Sequence, residues 1–326
     1  MSAQSHTLRL QPARRQVVVA RVAGFCFGVQ RAVDKVMESR RERWGKLTSL
    51  GPIVHNSQVT QRLAASGVEM AADLGTVREG AVILSAHGVA PETRAQAEAQ
   101  GLKVVDVTCP FVTRVHKTAC MLVEQGYQVL ILGDPAHTEV KGIVGAVESS
   151  GGTCSVIKDA EDLAKTALGR RVGIVTQTTQ RPEDFGQIVS EVSKRAFDVR
   201  AFNTICNATE ELQEAACELA RKVEVVIVVG GRQSANTARL REICEAEGTP
   251  AYHVETAEEI QESWLEGCSK VGVTGGASTP DWLIEAAARR ICGDLPDDFK
   301  VNHPDEKMMA KFFGDSPNLG GRELVA

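Results

Sequence analysis

One layout occurs three times along the chain, and it limits the possible folds more than any other feature. A cysteine stands directly before a helical stretch at Cys26 (FGVQRAVDKVMESRRERW), at Cys109 (PFVTRVHKTACMLVEQG) and at Cys206 (NATEELQEAACELARKV). Apolar residues recur at helical spacing in each, as at Val112, Val115, Ala119 and Val123. Beyond each helix comes an apolar segment with a polar tip. These are LTSLGPIVHN ending at His55 and Asn56, YQVLILGDPAHTE reaching His137 and Glu139, and EVVIVVGGRQSAN reaching Ser234 and Asn236. A second strand with a polar tip follows in each third: AVILSAHG with His87, RVGIVTQTT with Thr178, and KVGVTGGAS with Ser278.

Short β-branched segments alternating with helical ones predict α/β units with parallel strands. In open parallel sheets, ligands bind beyond the carboxyl ends of the strands, and every tip above lies at such an end. The expected fold is therefore three small α/β domains with mostly parallel sheets, in a pseudo-threefold arrangement around one central site. The expected divisions are residues 16–108, 109–203 and 204–293. Residues 294–326, rich in turn formers, form a tail expected to pack across a domain or stay partly mobile.

Composition narrows the function. A net charge of −5 gives no basic footprint for nucleic acid. The N-terminus lacks the apolar core of a signal peptide, and the longest apolar run, VVIVV, is too short to cross a bilayer. The reading is a cytoplasmic protein with no membrane partner. There are nine cysteines, with no CxxC pair among them. A reducing compartment disfavours disulfides, so the cysteines are core residues, nucleophiles or ligands of a site assembled from distant segments.

A helix N-terminus stabilises a thiolate through its unpaired N–H groups, which suits Cys26, Cys109 and Cys206 as ligands. Pro110 fits the first helical turn. Three thiolates in one site could hold zinc, with a histidine as fourth ligand, or a cubane [4Fe–4S] cluster with one iron free. A closed zinc site explains one histidine. It does not explain three, a glutamate, and tips bearing Thr, Ser and Asn. Those tips have the chemistry of an anion pocket. Neither a Walker sequence nor GxGxxG occurs. The better reading is a small phosphorylated or diphosphorylated substrate beside an iron–sulfur cluster.

The segments GFCFGVQRAV, SAHGV, DVTCPFVTRVH, HTEVKG, TQTT, CNATEELQEA, GGRQSANTARL and GVTGGASTPDW together resemble the 4-hydroxy-3-methylbut-2-enyl diphosphate reductase (LytB/IspH) family of the non-mevalonate isoprenoid pathway. The resemblance implies a [4Fe–4S] cluster held by Cys26, Cys109 and Cys206. It implies reductive removal of an allylic hydroxyl, giving isopentenyl and dimethylallyl diphosphate, with electrons from a ferredoxin or flavodoxin fed by an NADPH-linked reductase. His55, His87, His137, Ser234, Asn236 and Ser278 would grip the diphosphate. Glu139 would supply the proton, Thr178 would bond the leaving hydroxyl, and Thr209 would lie close to both. Ala235 stands where a second serine is usual in that phosphate-binding turn, and Leu212 where arginine is frequent. Cys120, Cys154, Cys217, Cys244, Cys268 and Cys292 are expected as buried fillers. His6, His253 and His303 are expected to be structural, and Arg232 either meets phosphate or reaches solvent.

Overall fold

The computed structural model describes residues 15–42, 44–297 and 299–304. The first strand, β1 (Gln16–Val19), leads to α1 (Phe27–Ser39), β2 (Leu47–Leu50), α2 (Ser57–Ala65), β3 (Val68–Ala71), β4 (Ala81–Leu84), α3 (Pro91–Ala99) and β5 (Lys103–Asp106). The middle of the chain adds α4 (Pro110–Glu124), β6 (Gln128–Leu132), α5 (Thr138–Ser149), β7 (Cys154–Ile157), α6 (Ala160–Lys165), β8 (Arg171–Thr176), α7 (Pro182–Ser193) and β9 (Asp198–Ala201). The last part adds α8 (Asn207–Ala220), β10 (Val225–Val229), α9 (Ala235–Ala246), β11 (Ala251–Val254), β12 (Lys270–Gly275) and α10 (Asp281–Cys292).

The strands form three four-stranded sheets, β3-β2-β4-β5, β7-β6-β8-β9 and β1-β12-β10-β11, and every pairing is parallel. Central strands such as β10 are buried along their whole length, as parallel strands covered on both faces must be. Each post-cysteine helix lays its apolar stripe on the sheet that follows it. Ala32 and Val36 of α1 pack with Leu47 and Ile83, Val115 and Ala119 of α4 with Val129 and Ile131, and Leu212, Ala215 and Leu219 of α8 with Val226 and Val228. Leu212, expected as a departure, is a fully buried core residue.

The expected divisions need one correction. β1, placed by the sequence reading with the first unit, pairs with β12 through Val17↔Val271 and Val18↔Gly272. The third sheet thus takes its fourth strand from the start of the chain, where the other two sheets use β5 and β9. Each of the three cysteines accordingly follows the fourth strand of one sheet and precedes the helix that covers the next. The cysteines sit at the joints between units rather than inside them.

The described part of the tail packs on the third unit. Phe299 and Val301 join its core, and Asn302 O accepts from Ala23 N at 2.8 Å. The rest of the expected tail, from residue 305, lies outside the described residues. Among those described, no helix is long and apolar enough to cross a membrane.

Candidate active site

The carboxyl ends of the strands converge on an open cavity of about 680 Å³. Its wall contains Cys26, Cys109, Cys206, His55, His87, His137, Glu139, Thr178, Thr209, Ser234, Ala235, Asn236 and Ser278. Every residue to which the family resemblance gives a role in ligation, binding or catalysis is thus at one place.

The thiols are positioned by a repeated device. Each cysteine is the N-cap of its helix, in extended conformation, with φ of −84°, −62° and −85° for Cys26, Cys109 and Cys206. Each cysteine N–H donates to a carbonyl at the tip of the preceding sheet. Cys26 N reaches Ala277 O at 3.1 Å, Cys109 N reaches Ala86 O at 3.0 Å, and Cys206 N reaches Thr178 O at 3.0 Å. Those carbonyls lie beside or within the polar tips carrying Ser278, His87 and Thr178. Gly28 makes room for the sulfurs: a Cβ there would fall 2.5 Å from Cys109 Sγ and 3.9 Å from Cys26 Sγ.

Helix-end amides do point at each sulfur, from Gly28 and Val29, from Phe111 and Val112, and from Ala208 and Thr209. Thr209 Oγ1 also lies 3.7 Å from Cys206 Sγ. Yet burial outweighs these donors. It raises the thiol of Cys26, pushes Cys206 up to about 12, and drives Cys109 higher still with help from its neighbours Cys26 and Cys206. The helix ends favour the thiolates as expected in sign, and desolvation opposes them more strongly. Three buried thiols sharing a cavity become thiolates only when a cation joins them. Among the described residues no group of three or more His, Cys, Asp or Glu closes on a single metal-ion position. The three thiols line one cavity, and three cysteine donors are a set that fits an iron–sulfur cluster.

The three histidines form a cluster. His55 stacks on His87 with ring centroids 3.9 Å apart, and His137 meets both edge-on at 5.0 and 5.7 Å. His137 caps α5, accepting from Glu139 N at 3.1 Å through Nδ1. Thr138 Oγ1 lies 3.4 Å from His55 Nε2, joining the first and second units. Burial lowers all three imidazoles, His55 to about 4 and His87 well below its ordinary value, and neighbouring histidines push these two further. Nδ1 of His55, Nδ1 of His87 and both amide atoms of Asn236 are buried without partners. Buried polar atoms are nearly always paired in native proteins, so these four atoms on the cavity wall are open to a polar ligand. Ser234 caps α9 by accepting from Thr237 N at 3.2 Å, and Ser278 Oγ donates to His55 O at 3.3 Å. Ala235, in the first turn of α9, contributes wall without a hydroxyl.

On the same helix start as His137, Glu139 is 2 % exposed. Its Oε1 accepts from Thr178 N at 2.7 Å and its Oε2 from Thr178 Oγ1 at 2.9 Å. Burial lifts its carboxyl to about 7 against the lowering effect of these two bonds. It is a buried acid able to hold or release a proton near neutral pH.

Other readings are settled by position. Arg232 pairs with Glu259, donates to His253 O at 2.7 Å, and lines a separate surface cavity. His253 bonds Gly230 O at 2.9 Å, and His303 pairs with Asp281. All nine cysteines are free. Of the six cysteines expected as buried fillers only Cys244 is buried; Cys120, Cys154, Cys217, Cys268 and Cys292 are half-buried, and Cys217 donates to Glu247. Sequence reasoning missed the wall residues Val29, Phe111, Val112 and Thr179. Thr179, within TQTT, carried the only polar signal.

The fold and site define a class: three-sheet α/β proteins that bring one thiol from each joint to a buried acid and a histidine-lined cavity. A family model described as "LytB protein" matches residues 17–292, and the chain belongs to that family. It is 43% identical over 275 residues to the 4-hydroxy-3-methylbut-2-enyl diphosphate reductase of Aquifex aeolicus, covering 84% of this chain and 95% of the relative. It is 44% identical over 277 residues to the enzyme of that name from Geobacter metallireducens, covering 85% and 96%. A solved (E)-4-hydroxy-3-methyl-but-2-enyl diphosphate reductase, described as the terminal enzyme of the non-mevalonate pathway, matches with TM-score 0.64 and 43% identity over 85% of this chain and 99% of that one. The solved reductase from Plasmodium falciparum matches with TM-score 0.79 and 25% identity over 92% and 98%.

Proposed function

We propose that this chain is a 4-hydroxy-3-methylbut-2-enyl diphosphate reductase, an oxidoreductase of the last step of the non-mevalonate isoprenoid pathway. Two electrons and two protons remove the allylic hydroxyl as water, leaving isopentenyl or dimethylallyl diphosphate. Cys26, Cys109 and Cys206 hold a [4Fe–4S] cluster. When bound, the cluster supplies the electrons and a Lewis-acidic iron to the leaving oxygen. A ferredoxin or flavodoxin fed from NADPH delivers the electrons, and the nine unpaired cysteines suit a reducing cytoplasm.

The chain's own residues do the rest. His55, His87, His137, Ser234, Asn236 and Ser278 bind the diphosphate. Nδ1 of His55, Nδ1 of His87 and Nδ2 of Asn236, all unpaired, are the donors a phosphate oxygen would satisfy, and the neutral imidazoles gain protons as the polyanion arrives. Glu139 holds a proton at its carboxyl, and Thr178 orients that group through two hydrogen bonds. Hydroxide is a poor leaving group and protonation makes it a better one. Burial of the pair keeps water from the allylic centre.

The observation that carries this reading is the meeting of three thiols, three histidines and one buried acid in a single cavity. The test is turnover by anaerobically reconstituted protein with the hydroxylated diphosphate and a strong one-electron donor. Formation of both five-carbon diphosphates is expected. Protein that binds iron and sulfide yet yields neither would overturn the assignment.

A further inference from the structure

His116 has no role in the reaction above. It does not line the cavity, and its Nε2 is buried without a hydrogen-bond partner. It lies on α4, the helix capped by Cys109, and its ring edge is lodged between two glycines. A Cβ on Gly88 would fall 3.2 Å from His116 Cε1 and 3.4 Å from Nε2. A Cβ on Gly142 would fall 3.2 Å from both of those atoms and 3.6 Å from Gly88 C. Three segments therefore touch at one imidazole.

The two glycines are placed where they matter. Gly88 directly follows His87 and has φ +75°, a conformation that favours glycine. Gly142 sits on α5 about one turn beyond Glu139, in the helix that His137 caps. Gly142 costs helix stability relative to alanine, so its presence needs a local reason, and the close approach of the ring is that reason. With Nε2 unpartnered, the imidazole acts here through its shape.

We propose that His116 is a positioning residue: its ring is the spacer that sets the loop bearing His87 against the helix bearing His137 and Glu139. The diphosphate histidines from two units are thereby held at a fixed separation. The inference rests on the reductase reading, because it assigns His116 to the alignment of that anion pocket.

Two single variants disturb the slot in opposite senses. His116→Ala empties it, and Gly142→Ala crowds it while improving intrinsic helix propensity, so the second keeps the test alive if the first folds poorly. In the cluster-loaded full chain, each should weaken inorganic diphosphate binding, read by calorimetry, by about tenfold. The KM for the reductase substrate should rise by a similar factor, with KM rather than kcat carrying most of the loss. Iron and sulfide content should stay at the wild-type level. The double variant, whose added methyl partly refills the void, should bind better than the two single effects combined predict. Unchanged diphosphate affinity with only a lowered melting temperature would make His116 a core filler and overturn the proposal. So would loss of iron in step with affinity, which would place its effect on Cys109, or strict additivity in the double variant. Wild-type protein that fails to bind diphosphate would instead sink the reductase reading, and this inference with it.

Discussion

Replacing Glu139 by glutamine separates proton supply from structure. The amide keeps both contacts in principle: its oxygen still accepts from Thr178 N, and the Thr178 hydroxyl can turn to accept from the new NH₂. What it cannot do is give up a proton. General acid catalysis contributes about 10²–10⁴ in rate, so kcat for Glu139→Gln should fall by that factor, with KM changed little. The stability effect runs the other way. Burial raises the carboxyl from 4.5 to about 7, so the folded state holds a proton that the unfolded chain has lost. Stability from this group is complete below pH 4.5 and is lost as pH rises through about 7. That pH span of about 2.5 corresponds to about 3 kcal/mol. Glutamine carries no such penalty, so the variant should be more stable than wild type at pH 8 by up to about 3 kcal/mol, and about equal to it near pH 4.5. Anaerobic thermal unfolding from pH 4.5 to 8.5, paired with turnover assays, measures both effects. Wild-type activity should decline above pH 7 as the acid ionises. A variant retaining more than a tenth of kcat, or one whose stability follows the wild-type pH curve, would refute the assignment of Glu139 as a buried proton donor.

Other variants probe the remaining groups. Gly28→Ala sets a methyl 2.5 Å from Cys109 Sγ, so iron and sulfide content should fall severalfold, as elemental analysis would read, while far-UV circular dichroism stays unchanged. Asn236→Ala removes a buried amide that no protein group pairs with. It should leave the melting temperature unchanged or raised, and should raise KM about ten- to a hundredfold, the value of one or two hydrogen bonds to a charged ligand. Binding of a polyanion lifts the three lowered imidazoles, so diphosphate should bind with proton uptake and its affinity should increase as pH falls from 8 towards 5. Calorimetry in buffers of differing ionisation enthalpy checks that sign, and proton release would contradict it.

The site was more legible in the sequence than the assembly that builds it. Polar residues such as His55, His87 and Ser278 stand directly after apolar strands, so local patterning placed them at strand ends, and parallel-sheet geometry placed those ends together. The pairing of β1 with β12 has no local signal. QVVV would fit the edge of any of the sheets, and its partner lies at the far end of the chain. The burial that raises the thiols of Cys109 and Cys206 had no local signal for a related reason. A helix start can be seen in sequence, but the desolvation that opposes it depends on what the other two units bury. The slot around His116 was equally hidden, because glycines at 88 and 142 acquire meaning only when α4 and α5 are packed.

The three amide bonds that suspend the cysteines from neighbouring tips have a mechanical consequence. The same peptide that anchors a thiol in each joint is continuous with Ser278, His87 or Thr178. A shift in any of these tips on capturing the substrate would tug on a cofactor ligand through a single peptide link. Loss of the cofactor would slacken all three grips at once. The proposed metal centre should therefore support the diphosphate grip, and protein stripped of iron and sulfide should bind diphosphate more weakly than loaded protein.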